Sequence, residues 1–173
     1  RSIVAQFHAL VREIGHLEKQ ILDWHRHDEV SQRLATVPGI GPITASAIAA
    51  TVPDASIFRS GRQFAAWLGL TPRPHSSGGK ERLGGITKQG DVDVRAALCE
   101  AAASMLLRAK KWTALRAWGL RIAKRTSMKK AMIAVARKLA VILHRMWIDG
   151  TEFIFAKGAA VIEKRVLIGT VIE

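Results

Sequence analysis

Ser76 and Ser77 lie side by side in PRPHSSGGKERLGGITKQGDVDVR, residues 72–95, among five glycines, two lysines and three arginines. Glycine lets a backbone approach a phosphate closely. Lysine and arginine neutralise phosphate charge. A serine in such company can attack phosphorus with its hydroxyl, or simply hold a phosphate oxygen. The first role makes an enzyme and the second a binding loop. A serine hydroxyl is a poor nucleophile at neutral pH without a base or a metal to activate it. A phosphoryl transition state also needs cations and amide donors at its non-bridging oxygens. Lys80, Arg82, Lys88 and Arg95 are candidates for those donors, and Gly78 and Gly79 for close backbone approach. No local base stands out. His75 precedes Ser77 by two residues, a proximity in sequence that does not define geometry.

A second phosphate-binding candidate lies upstream, in SQRLATVPGIGPITASAIAATVPDASIF, residues 31–58. An apolar helix is predicted to reach Val37, where Pro38-Gly39-Ile40-Gly41-Pro42 breaks it. A second helix is predicted from about Pro42 to Thr51, since proline suits a first helical position. This pattern resembles a helix-hairpin-helix, in which the amides of Gly39 and Gly41 would meet a nucleic-acid phosphate without reading sequence. The plain alternative is a tight helical corner that needs glycine for geometry alone.

Elements must hold these segments in place, and the chain downstream is suited to it. Asp91 or Asp93 can cap a helix from about Val92 to Lys110, with Val94, Leu98, Ala101 and Met105 as its apolar face. Cys99 on that helix reads as a small core residue. From Ala101 to Ile148 there are twelve lysines and arginines and no acidic residue. Met128, Met132, Val135, Leu139, Ile142 and Met146 form an apolar seam, while Lys130, Arg137 and His144 recur every seven residues on another face. Lys138 adds to the cations. Self-repulsion over so long a one-signed stretch calls for an anionic partner, beyond the ordinary solvated face. Trp112 and Trp118 sit among the cations. They could stack on bases, although core packing is the more frequent use of tryptophan. Before the serine segment, Phe64, Trp67 and Leu68 are expected on the core face of a short helix.

At the N-terminal end Ile3, Phe7, Leu10, Ile14, Leu17, Ile21 and Trp24 step by fours and threes. That is a heptad seam, suited to a coiled coil or to packing on the chain's own domain. His8, His16, His25 and His27 read as solvated or rim residues. The 173 residues carry 27 Lys+Arg against 14 Asp+Glu, a net charge of +13. Nucleic acid is the first partner this implies. One cysteine excludes disulfide frameworks and cysteine-based zinc sites within the chain and fits a reducing compartment. No run reaches the length of a spanning helix, and no signal peptide is evident. The chain opens on Arg1 inside a helical pattern, as a piece of a longer protein would.

Taken together, LATVPGIGPITASAIAATV, FRSGRQFAAWLGLTPRPHSSGGKERLGGITKQGD and VRAAL resemble the C-terminal transposase domain of the insertion-sequence-110 transposase family, which includes the Piv-type DNA invertases. The resemblance is collinear from about Leu34 to Phe153. It implies a DNA recombinase whose serine, directly before a glycine, attacks a phosphodiester and forms a 5′-phosphoserine link. That serine maps onto Ser77, with Ser76 as the fallback. The family's Lys-x-Gly and Arg-x-x-Leu map onto Lys88, Gly90, Arg95 and Leu98. The resemblance further implies a RuvC-like N-terminal domain binding a divalent metal such as Mg²⁺, absent from this sequence, with no cofactor held within this chain. It implies a bridge-type guide RNA, a dimer or tetramer, and a bacterial cytoplasmic, nucleoid-associated setting.

The expected fold is mainly α, with three parts. Residues 1–30 form a long, coiled-coil-like helix. Residues 31–153 form the transposase domain, with a helix-hairpin-helix at 31–52, a glycine-rich serine loop at 72–91 and basic helices at 92–147. Residues 154–173 are a tail without a functional reading; from Thr151 onward the β-branched residues suit short strands or a hydrophobic tail. Two alternatives from another class remain: a non-catalytic module that holds DNA or RNA, and a helicase- or repair-type hairpin accessory domain resting on the Gly-x-Gly corner alone.

Overall fold

In the computed structural model, the described residues are 2–155 apart from Pro53, Gly78 and Gly79, and apart from the side chains of residues 75–83. The fold is mainly α, as the apolar periodicity implies. Seven helices appear among the described residues: α1 (Ile3–His27), α2 (Glu29–Leu34), α3 (Pro42–Thr51), α4 (Gly61–Trp67), α5 (Val92–Leu107), α6 (Ala114–Arg125) and α7 (Met128–Asp149). A short 3-10 turn, Ala55–Ile57, precedes α4. None of these helices is long and apolar enough to cross a membrane.

Most helices start where a short polar side chain can accept an orphan amide. Ser2, Asp28, Ser60, Asp91, Thr113 and Ser127 do this for α1, α2, α4, α5, α6 and α7. Helix α3 differs, because Gly41-Pro42 offers no side-chain cap. Helices α2 and α5 stop at Leu34 and Leu107, three residues short of the expected ends. Turn hydrogen bonds, among them Val37 N–H to Leu34 and Ala109 N–H to Ser104, take over there.

The core is centred on α7, which packs against α4, α5 and α6. Its seam is buried at Val135, Leu139, Leu143 and Met146, with the small Ala131, Ala136 and Ala140 letting neighbours approach. Met128, Met132 and Ile142 are only half-buried. His144 corrects its placement with Lys130 and Arg137, for it is buried and its Nε2 lies 3.2 Å from the carbonyl of Ala55 and 3.1 Å from that of Phe58. Those carbonyls belong to the turn before α4, and an unpaired imidazole there would be costly. Phe64 and Leu68 join the core as expected, but Trp67 remains 40% exposed at its edge. Phe153 is buried, and its N–H donates to Thr36 Oγ1 at 3.0 Å. Residues 151–155 form no strand, and the rest of the tail lies outside the described residues.

The expected serine loop is a two-stranded antiparallel ribbon, β1 (Pro72–Ser77) and β2 (Lys80–Ile86). Glycine and proline argue against a central strand, yet a two-stranded ribbon tolerates them because each strand keeps one free edge. An irregularity between Pro72 and Pro74 fits that rule.

Candidate functional site

The ribbon carries the serines at its tip. The register sets Ser77 opposite Lys80, Ser76 opposite Glu81 and His75 opposite Arg82. Their side chains, and Gly78 and Gly79 altogether, lie outside the described residues. The root of the ribbon can be followed in detail. Thr87 N–H donates to Thr71 O at 2.9 Å, Lys88 N–H to Gly69 O at 3.0 Å, and Arg73 Nη2 to Thr87 O at 2.8 Å. Lys88 is exposed and holds φ 57°. That left-handed backbone disfavours any side chain by roughly 1–2 kcal/mol, and the bond to Gly69 holds it there.

Arg95, one turn into α5, faces this root. Its Nη1 donates to the carbonyls of Leu68 at 3.2 Å, Gly90 at 2.9 Å and Asp91 at 3.3 Å. One guanidinium nitrogen thus ties the end of α4, the Gly90 turn and the start of α5 together. A Cβ on Gly90 would sit 1.9 Å from the carbonyl oxygen of Trp67, so only glycine fits this crossing. Asp91 Oδ1 accepts from Val94 N–H at 2.7 Å, which makes it the helix cap expected of it.

The glycine turn between α2 and α3 lies against the middle of the same helix. Gly39 has φ 91°, and a Cβ there would come within 2.4 Å of the Ala101 carbonyl oxygen. Its glycine is therefore required by backbone-to-backbone packing. Gly41 is exposed, with open space where a Cβ would be. No side chain caps the α3 amides behind it.

At the far end of α5 the chain turns through Trp112 into α6. Arg116 Nη1 donates to Ala109 O at 2.7 Å and its Nε to Leu106 O at 3.3 Å. The same guanidinium covers the Trp112 ring at 5.2 Å from its centroid. Contrary to the core role expected of it, Trp112 is 66% exposed. Trp118 is half-buried, with Lys138 Nζ over its ring at 4.4 Å. It borders a shallow depression shared with Arg121, Ile122, Lys124 and Arg125. Lys130 is exposed at the start of α7, and Arg137 is half-buried further along.

One helix therefore mounts three features. The ribbon root meets its N-terminal end, the glycine turn its middle, and the Arg116–Trp112 pair its C-terminal end. At about 1.5 Å per residue these are spread over about 24 Å. Periodicity signals α5 itself, but the carbonyl clamp of Arg95 depends on an approach between residues 27 apart in sequence, which no local pattern announces.

Among the described residues, no three His, Cys, Asp or Glu side chains come together. Burial pushes the Cys99 thiol above its ordinary pKa, with Arg95 opposing weakly, so it is no ready nucleophile.

Comparison with known proteins gives this arrangement its context. The chain is 40% identical to the y4pF/y4sB transposase candidate of Sinorhizobium fredii, over 90% of this chain and 41% of that protein. It is 37% identical to the transposase for insertion sequence element IS1111A of Coxiella burnetii, over 75% of this chain and 36% of that one. It is 32% identical to the pilin gene-inverting protein of Moraxella lacunata, over 64% of this chain and 34% of that one. The chain thus spans about two fifths of the length of the curated relatives it matches. The family model described as Transposase IS116/IS110/IS902 matches residues 31–118, from α2 through the ribbon and α5 into α6, and the chain belongs to that family.

Proposed function

We propose that this chain is the serine-bearing, nucleic-acid-binding part of a DNA transposase or site-specific recombinase. The Ser77 hydroxyl attacks a DNA phosphodiester, with Ser76 as the fallback. The Oγ–P bond forms and the bond from phosphorus to the 3′ oxygen breaks. The serine proton passes to a base, for which His75 is a candidate, and the departing 3′ oxygen takes up a proton. The product is a 5′-phosphoserine link. Lys80, Arg82 and Lys88 offset charge on the phosphate, and Gly90 and Arg95 position the ribbon that carries the serine. Acidic metal-binding residues come from outside this sequence. Gly41 and the uncapped α3 amides take a backbone phosphate in the manner of a helix-hairpin-helix. Lys130, Arg137 and Lys138 extend the contact to DNA and to a guide RNA, and the α1 seam joins copies into a dimer or tetramer. A cytoplasmic, nucleoid-associated setting accompanies this reading.

The observation that carries the reading is the family match, which runs unbroken through the glycine turn, the ribbon and α5. The test uses the full-length transposase that contains this chain, with its target DNA and guide RNA. A protein–DNA adduct that survives denaturation is expected, and Ser77→Ala abolishes it. An adduct that persists in Ser77→Ala but not in Ser76→Ala moves the nucleophile by one residue.

A second reading, a non-catalytic module that holds nucleic acid, draws support from the uncapped α3 N-terminus and the acid-free basic stretch, which need no chemistry to be useful. Salt-dependent binding with no adduct under any condition favours it.

A further inference from the structure

We propose that Trp112 is a stacking platform for an unpaired nucleotide base. The inference rests on the nucleic-acid-binding reading above and adds a site and a ligand class to it. Trp112 is 66% exposed in a segment whose charged neighbours Arg108, Lys110 and Lys111 are all cationic and exposed. An indole that merely lacked a place in the core would sit on a loose loop. The segment that carries this one is fixed, and one face of the ring is covered. Behind it, the Arg116 guanidinium covers one ring face, and Arg116 is itself fastened to the Leu106 and Ala109 carbonyls at the end of α5. Beside it, Thr113 is buried and caps α6, its Oγ1 accepting from Arg116 N–H at 3.1 Å. The result is a flat apolar surface, backed by a fixed cation and flanked in sequence by exposed charges that attract phosphate.

A phosphate backbone alone needs the cations and has no use for the indole. The π-face of a base needs the indole, and cations beside it bring the strand within reach. Bases within a duplex already stack on each other. The occupant is therefore an unpaired base, in single-stranded DNA or in a loop of RNA. Both sources offer the same face.

The experiment measures affinity of this chain for a short thymidine oligonucleotide and a short uridine oligoribonucleotide. Each is compared with the same strand carrying abasic sugars at its central positions, and a duplex is titrated across salt in parallel. The wild-type chain should prefer the intact strands about tenfold, the scale of one base–aromatic stack. Trp112→Ala should bind intact and abasic strands alike, and Trp112→Phe should keep most of the preference. The strand type with the larger preference identifies the source of the base. A preference unchanged in Trp112→Ala overturns the inference. So does a drop in melting temperature in that variant with no loss of base dependence, which would place the indole against protein. If the wild-type chain binds neither strands nor duplex at low salt, the nucleic-acid reading falls as well. Duplex binding with a steep salt slope but no base preference sinks only the platform.

Discussion

Helices α1 and α7 carry the same kind of apolar seam, stepping by threes and fours, and the chain treats them in opposite ways. On α7 the seam meets α4, α5 and α6, and eight residues of the helix are buried. On α1 none is buried: Ile3, Phe7, Leu10, Ile14 and Leu17 are exposed, and only the C-terminal part rests on α2 and α3. Ile21 and Leu22 are half-buried there, and His25 Nδ1 meets the buried Ser31 hydroxyl at 2.7 Å. Periodicity therefore says that a helix has a face to cover. What covers it depends on residues far away in sequence or on another molecule.

The contrast can be broken by substitution. Leu139→Ala on α7 should cost about 2–5 kcal/mol in urea unfolding, through lost burial and a residual cavity. Leu10→Ala on α1 should stay within about 0.5 kcal/mol. A comparable loss at Leu10 would mean that the α1 seam is covered in solution, and a dependence on protein concentration would identify a second copy as its cover. His144→Ala tests the polar point of the α7 seam. It leaves the Ala55 and Phe58 carbonyls without their partner, and a loss of about 1–3 kcal/mol is expected in the same assay.

Charge placed on the α1 seam, as in Leu10→Glu with Leu17→Glu, should leave the melting temperature within about 2 °C. It should also abolish self-association in sedimentation velocity. Unaltered sedimentation of an oligomer would remove the seam as its basis. The smallest effect concerns Cys99, on the α5 face that borders this core. Its raised pKa means the folded state keeps the thiol proton longer than the unfolded chain does. Alkylation should be slower than in urea at mildly alkaline pH, and stability should decline slightly as pH rises past the ordinary thiol range. Equal rates in native and unfolded protein would show that the thiol is not shielded.

Much of this was legible in residue types and spacing. The helices could be read because apolar residues recur at helical steps over long stretches, and Asp91 and Pro42 mark helix starts by their chemistry. The ribbon could not, since glycine and proline are equally at home in loops and in strands with a free edge. Trp112 was ambiguous because a tryptophan among cations fits both a core edge and an exposed platform. His144 looked cationic by its spacing from Lys130 and Arg137, but the carbonyls that claim it come from residues more than eighty positions earlier. The serines were evident as candidates from their company alone, and the family match adds the context of transposition without locating the nucleophile.

The clamp of Arg95 on three carbonyls has a mechanical consequence. The serines ride at the end of a lever whose pivot is the Gly90 turn. At about 3.3 Å per residue, the six residues from Thr71 at the ribbon root to Ser77 span about 20 Å, and a tilt of about 5° at the root sweeps the Ser77 end by about 2 Å. The in-line attack on phosphorus proposed above would tolerate far less, since an error of about 1 Å can reduce a rate about a hundredfold. If the proposed attack is right, the placement of the serines is governed from the opposite end of the ribbon, by a single Arg95 nitrogen that need never touch the DNA.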